Sequence, residues 1–253
     1  MSETQITRVP ILPLGMVNAH MIRADHGVVL VDAGTPGAEA KFERALARQG
    51  LKFKDVKLIV VTHAHTDHAG AAARLRDLSG APILAHEDDV DFYTRRKPMT
   101  FCPTSGVGRL FLKTPVPHEP YIGFEPDIVM TNSDTVSLKD FGVDGLVRHT
   151  GGHTPGSIAV ELTSQDVLVG DLIASGILIG GMALTGRAIR PPFEDDPRAV
   201  AQELQRLVDS GAKRFHMGHG GPLGPAEVLR HARRLSKIAP TACGNGHCDH
   251  QSH

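Results

Sequence analysis

Three histidines and an aspartate, His63, His65, His68 and Asp67, fall within six positions directly after the apolar run Leu58-Ile59-Val60-Val61. A lone histidine reads as a surface or satisfied core residue, but four ligand-type side chains at one strand-to-helix turn read as a metal site. The apolar run is short, β-branched and without alternation, as expected of a buried parallel strand. If the extended conformation persists, His63 and His65 project from the same face. Asp67 and His68 then lie at the turn into a helix expected to reach Ser79, with Gly80 as its stop. Two pairs of ligands offset by a turn can serve two neighbouring ions.

The stretch His63-x-His65-x-Asp67-His68 resembles the signature of the metallo-β-lactamase-fold superfamily, which continues with a further histidine, an aspartate and a last histidine. All three have counterparts in order: His153 in Gly151-Gly152-His153-Thr154-Pro155-Gly156, Asp171 after Val167-Leu168-Val169-Gly170, and His219 in Gly218-His219-Gly220-Gly221. The resemblance spans about Thr4 to Ala239 and implies an α/β fold, a four-layer αβ/βα sandwich of two mixed sheets with outer helices. It implies that one ion takes His63, His65 and His153, the other takes Asp67, His68 and His219, and Asp171 bridges them. Zinc suits these donors, as do iron and manganese. The chemistry implied is hydrolysis of an ester, thioester or lactone by a metal-activated hydroxide, with Asp67 orienting the nucleophile and handling its proton. Asp32, at the end of Val28-Val29-Leu30-Val31, resembles an aspartate beneath the metal centre that orients ligands, and reads equally as an ordinary strand-end residue.

Departures from known branches narrow the resemblance. True β-lactamases lack the bridging aspartate, glyoxalase II carries a C-terminal helical domain, and acyl-homoserine lactonases have a tyrosine where this chain has Ala174. The tRNA-processing nucleases carry a His-Ser-Thr element and an RNA-gripping arm that are not found here. Persulfide dioxygenases share the fold and hold one iron through the counterparts of His63, His153 and Asp171, so a mononuclear oxygenase is the rival expectation. A non-catalytic metal-binding protein is a second, prompted by the tail from Cys243 to His253, whose cysteines and histidines can bind soft or borderline metals.

The 253 residues, 41% hydrophobic, fit one domain over 1–240 followed by the Cys/His-rich tail at 241–253. With 27 basic against 28 acidic residues and no tryptophan, neither a polyanion-binding surface nor a stacking platform for single strands is indicated. A small-molecule substrate is expected, with no nucleic acid and no membrane. Cys102, Cys243 and Cys248 are too few for a disulfide framework, and the start of the chain lacks a basic segment leading into an apolar one; both point to a cytoplasmic protein.

The elements that must position the motifs begin with a meander of strands at Ile6 to Leu14, Met16 to Ile22 and Gly27 to Val31. A helix follows from Thr35-Pro36 to Gln49, with Thr as cap. After the motif helix come a strand at Ala81 to Ala85 and a helix from Glu87 to Arg96. From Lys97 to Phe124 prolines interrupt every period, so this stretch is either a lid over the site or a surface excursion or oligomer contact. Strands resume at Ile128 to Thr131, Thr135 to Leu138, Leu146 to His149, Ser157 to Leu162 and Val167 to Val169. Another is expected around Phe215, and helices begin at Asp196-Pro197 and Pro225. His20 is a weaker pocket candidate, and Arg187 and Arg190 are candidates for meeting an anionic part of a substrate.

Overall fold

A computed structural model of the chain describes residues 5–131, 134–177 and 183–238. Strands β1 (Ile6–Pro10), β2 (Asn18–Ala24), β3 (Gly27–Val31), β4 (Val56–Val60), β5 (Ile83–His86) and β6 (Ile128–Met130) form one sheet in that order. β1 to β3 pair antiparallel and β3 to β6 parallel, so the sheet is mixed. A second sheet runs in the order β13 (Arg214–His216), β10 (Asp166–Leu168), β9 (Ile158–Leu162), β8 (Gly145–His149) and β7 (Thr135–Ser137). A short ribbon joins β11 (Ala174–Ser175) to β12 (Ala188–Ile189).

Period-two alternation builds the layers. Val29, Val31, Leu58 and Val60 turn inward against Val147, Ile158, Val160 and Leu168 of the second sheet. Their neighbours Val28, Leu30, Ile59 and Val61 turn outward onto Phe42 and Leu46 of helix α1 (Glu39–Ala47) and Leu75 of α3 (Ala72–Ser79). On the far side, Val167 and Phe215 meet Val200, Leu204 and Leu207 of α6 (Pro197–Asp209) and Val228, Ala232 and Leu235 of α7 (Pro225–Leu235). Three apolar seams between four layers make the αβ/βα sandwich. Because both faces of the central strands are covered, β3 and the stretch Leu58 to Val60 of β4 are continuously apolar.

Several elements differ from the sequence reading for local reasons. Helix α1 starts at Glu39 with no side-chain cap, because Gly37 takes a left-handed φ of 80° that a helix cannot pass through, and Thr35 is left in a loop. The motif helix is two pieces, α2 (Thr66–Ala69) and α3, broken at Gly70, where a Cβ would meet the Thr66 carbonyl oxygen at 2.4 Å. The expected helix from Glu87 to Arg96 is a 3-10 turn followed by α4 (Val90–Tyr93), ended by Arg95 at φ 62°. The stretch from Lys97 to Phe124 is not without structure: Ser105 caps a helix α5 (Gly106–Leu112) by accepting from the Gly108 N–H. Asp196 caps α6 in the same manner, as expected. Cys102 is buried and disulfide-bonded, although three cysteines read as too few for a disulfide framework; Cys243, Cys248 and the rest of the tail lie outside the described residues.

Candidate metal centre

The motif side chains leave the carboxyl ends of strands at one edge of the sandwich. Asp32 follows β3, His63 follows β4, Asp171 follows β10 and His219 follows β13, while His153 sits in the loop between β8 and β9. The two sheets are joined there by backbone bonds from Ile158 N to Thr62 O at 2.9 Å and from Asn18 N to Gly218 O at 2.7 Å. Gly218 is required by this crowding: a Cβ would lie 2.2 Å from His68 Cε1 and 2.4 Å from Asp171 Oδ1.

All seven expected ligand positions converge. His63 Nε2 lies 3.1 Å from His65 Nδ1 and 3.2 Å from His153 Nε2, and His153 Nε2 is 3.1 Å from His65 Nδ1. Beside this triad, His219 Nε2 is 2.9 Å from Asp171 Oδ2 and 3.4 Å from Asp67 Oδ2, and His68 Nε2 is 3.4 Å from Asp171 Oδ1 and 3.8 Å from Asp67 Oδ2. Asp171 reaches the first triad as well, with Oδ2 3.9 Å from His153 Nε2. These donors make up the groups His63/His65/His153, His63/His68/Asp171 and Asp67/His68/His219, each close enough to hold one ion.

The imidazoles are aimed from behind. Asp32, held at a left-handed φ of 65°, accepts from Thr62 N–H and Oγ1–H with one oxygen, both at 2.8 Å, and from His68 Nδ1–H with the other at 2.9 Å. With its own proton given to Asp32, the Thr62 hydroxyl accepts from His63 Nδ1–H at 3.0 Å. His219 Nδ1–H donates to the Met16 carbonyl. In His63, His68 and His219 the Nε2 lone pair is therefore the one that faces the centre. Asp32 thus has the orienting role that the resemblance implied.

Electrostatics divide the cluster. Burial drives His63 and His153 well below the usual imidazole range and His65 to about 4, so all three are neutral. Burial acts the same way on His68, but Asp171, Asp32 and Asp67 outweigh it and hold its pKa well above the ordinary value. His219 is likewise raised, chiefly by Asp171 against its own burial. Asp171, despite burial, is held far below the usual carboxylate range by His219 and His68.

A residue that sequence reasoning missed ties the two motif loops together. Asp89, fully buried at the start of α4, accepts from Ala64 N at 3.0 Å, Thr154 Oγ1 at 2.9 Å and Gly156 N at 2.9 Å. Burial pushes its carboxyl up to about 6 in spite of these bonds. Nothing in Glu87-Asp88-Asp89 distinguishes this aspartate by spacing. Tyr121 also reaches the first motif, donating to the Ala64 carbonyl at 3.1 Å.

The stretch from Lys97 to Phe124 roofs the centre. It is fastened to the second half by Thr104 N to Pro192 O and Glu194 N to Cys102 O, both at 2.9 Å. Beneath it a cavity of about 210 Å³ opens on Asp67, His65, His153, Asp171 and His219, walled by Phe101, Phe111 and Phe193. The secondary candidates are not part of it. His20 is buried under the centre, edge-on to His216 at 5.6 Å. The Arg190 guanidinium is taken up by buried Glu194 at 2.6 and 2.9 Å, and Arg187 is exposed away from the cavity. A further donor group, His86, Asp88 and His149, lies on the other flank of Asp89. Its imidazoles stack at 3.9 Å with only 15° between their planes, so no single ion can lie in the plane of both rings.

The family model of the metallo-beta-lactamase superfamily matches residues 12–219. The chain belongs to that superfamily. It is similar to the probable metallo-hydrolase YflN of Bacillus subtilis, at 27% identity over 84% of each chain. A metal-dependent hydrolase of Pyrococcus abyssi is 28% identical over 73% of this chain and 86% of that one. Among solved structures, a metallo-beta-lactamase family protein of Thermus thermophilus superposes with a TM-score of 0.63 at 27% identity, covering 93% of this chain and 79% of its own. The enzyme is a metallo-hydrolase of this superfamily and not a true β-lactamase. No helix among the described residues is long and apolar enough to cross a membrane.

Proposed function

We propose that His63, His65 and His153 hold one divalent ion, Asp67, His68 and His219 a second, and that Asp171 bridges them. The observation that carries this reading is the convergence of buried donors on one point: His63 Nε2, His65 Nδ1 and His153 Nε2 lie within 3.2 Å of one another, and His219 and His68 meet Asp171 at 2.9 and 3.4 Å beside them. Neutral imidazole nitrogens facing one another in a dry site lack donors, and a cation would satisfy them. Imidazole and carboxylate without a thiolate fit zinc, and also iron or manganese.

The reaction we infer is hydrolysis of an ester, thioester or lactone of a small molecule. Bound ions would supply Lewis acidity and bring the pKa of a water in the site towards about 7. Asp67 is the carboxylate of the centre most open to the cavity, with a side chain 27% exposed, so it orients the attacking water, takes its proton and delivers it to the leaving group. The Phe101 and Phe193 rings exclude bulk water from His65 and sharpen these charges. A substrate small enough for the cavity, with no role for nucleic acid or a membrane, belongs to the same proposal. So do a cytoplasmic location and the organisation into one domain, 1–240, with an accessory tail; the disulfide at Cys102 is the observation that the location must accommodate.

The test is turnover of a panel of uncharged esters, thioesters and lactones by protein loaded with zinc, and by the Asp67→Asn variant. Turnover that depends on zinc and is lost in the variant supports the reading. A protein that carries one iron per chain and consumes oxygen on persulfides would replace it with the mononuclear reading through His63, His153 and Asp171.

A further inference from the structure

The wall of the cavity that faces away from the metal donors is almost entirely apolar. Phe193 centres a cluster of three rings, 4.7 Å from Phe101 and 5.8 Å from Phe111, and Phe101 stacks on His65 at 5.1 Å, so the aromatic surface runs directly up to the reacting centre. Leu12, Met16, Val17, Val116 and Pro192 continue it, and Leu12 and Val116 extend it to the mouth, being 38% and 55% exposed. No lysine or arginine lines the cavity among the described residues. Among the described residues, the one ionisable group of the wall away from the centre is a carboxylate, Glu119.

We propose that the substrate presents an uncharged, apolar acyl group, a short alkyl chain or a single aromatic ring, which sits against Phe101, Phe111 and Phe193 with its carbonyl at the metal donors. This deepens the hydrolase reading and rests on it. An anionic acyl tail would lose its hydration with no cation in the wall to replace it and would face Glu119, whereas each methylene buried on the phenylalanines contributes about 0.8 kcal/mol. Size sets the upper bound. A dry cavity of about 150 Å³ takes benzene, so the cavity here suits a ring with a short substituent or a chain of about six to eight carbons.

The experiment uses the full chain loaded with zinc. kcat/KM is measured for p-nitrophenyl acetate, butyrate, hexanoate and decanoate and for the p-nitrophenyl monoester of adipic acid, which matches hexanoate in length but ends in a carboxylate. The expected result is a rise of about fourfold per methylene up to hexanoate, no further rise to decanoate, and a preference for hexanoate over the adipate ester of about 10²-fold. Phe111→Arg should lower that preference by at least about tenfold by giving the carboxylate a partner. Calorimetric binding of hexanamide against adipamic acid reads the same wall without turnover. If no ester is hydrolysed but hexanamide still binds more tightly, the hydrolase reading fails and the apolar wall stands. Adipate or adipamic acid handled as well as its neutral match, or rates indifferent to chain length, would overturn the proposal.

Discussion

The two halves of the centre are built on opposite electrostatic plans. His63, His65 and His153 form a triad of imidazoles kept neutral chiefly by burial, with lone pairs within 3.2 Å of one another. On the other side, His68 and His219 are held towards the protonated form by Asp171, Asp67 and Asp32. The first half is a preformed nitrogen-donor pocket that needs no proton to leave. The second is an ion-pair network in which a metal must displace protons already stabilised by carboxylates. Asp171 is the carboxylate that reaches both, at 2.9 Å from His219 and 3.9 Å from His153. The two proposed ions should therefore differ in affinity, in pH dependence and in which supporting residues they need.

The strongest way to break that comparison is to remove the shared residue. Asp171→Ala should abolish the second ion, weaken the first and lower zinc-dependent turnover by about 10³-fold or more, read by metal analysis beside kcat. Asp67→Asn acts on one half: turnover should fall by about 10²-fold while the imidazole triad still takes its ion, because the triad does not use that carboxylate.

Two buried aspartates behind the centre sharpen the contrast. Asp32→Asn removes the acceptor of His68 Nδ1–H and should lower affinity for the second ion by about 10- to 100-fold. Asp89→Ala instead frees the loops carrying His63, His65 and His153, so the first ion should suffer. The same change should lower stability to denaturant by about 2 kcal/mol, since three donors lose their acceptor inside the protein. Equal effects of both variants on both ions would erase the distinction.

The last expected effect is graded with pH. His68 and His219 have raised pKa values, so protons compete with the second ion and its affinity should fall as pH drops from about 8 to about 6, by up to about tenfold per unit for each proton displaced. The triad is neutral down to about pH 4 at His65, so the first ion should not respond over that range. Zinc titrations by calorimetry at three pH values separate the two.

The ligands were legible because they are concentrated in short motifs on strand ends, where residue type and spacing carry the chemistry. The layers were legible because Val28 to Val31, Leu58 to Val61 and Val167 to Val169 are apolar runs and α6 and α7 open on Asp196-Pro197 and Pro225. What escaped depends on distant parts of the chain meeting. Asp89 matters only because its turn abuts two loops that lie 25 and 65 residues away. The roles of Phe101, Phe111 and Phe193 follow from the lid pairing with 192–194, which no local period encodes. Arg190 failed as a substrate contact because a buried glutamate four positions on takes its guanidinium. The helix from Thr35 failed because one glycine at φ 80° outweighs a favourable cap and proline.

The first measurement to make is the metal content per chain, by element, of full-length protein and of Asp171→Ala, each purified without added metal and each re-measured after equilibration with zinc. Two zinc ions per wild-type chain and at most one per Asp171→Ala chain, with one of the wild-type ions lost at about pH 6 and the other retained, is the result that two unequal halves predict. One iron per chain in the wild type, unchanged on zinc loading, would contradict it.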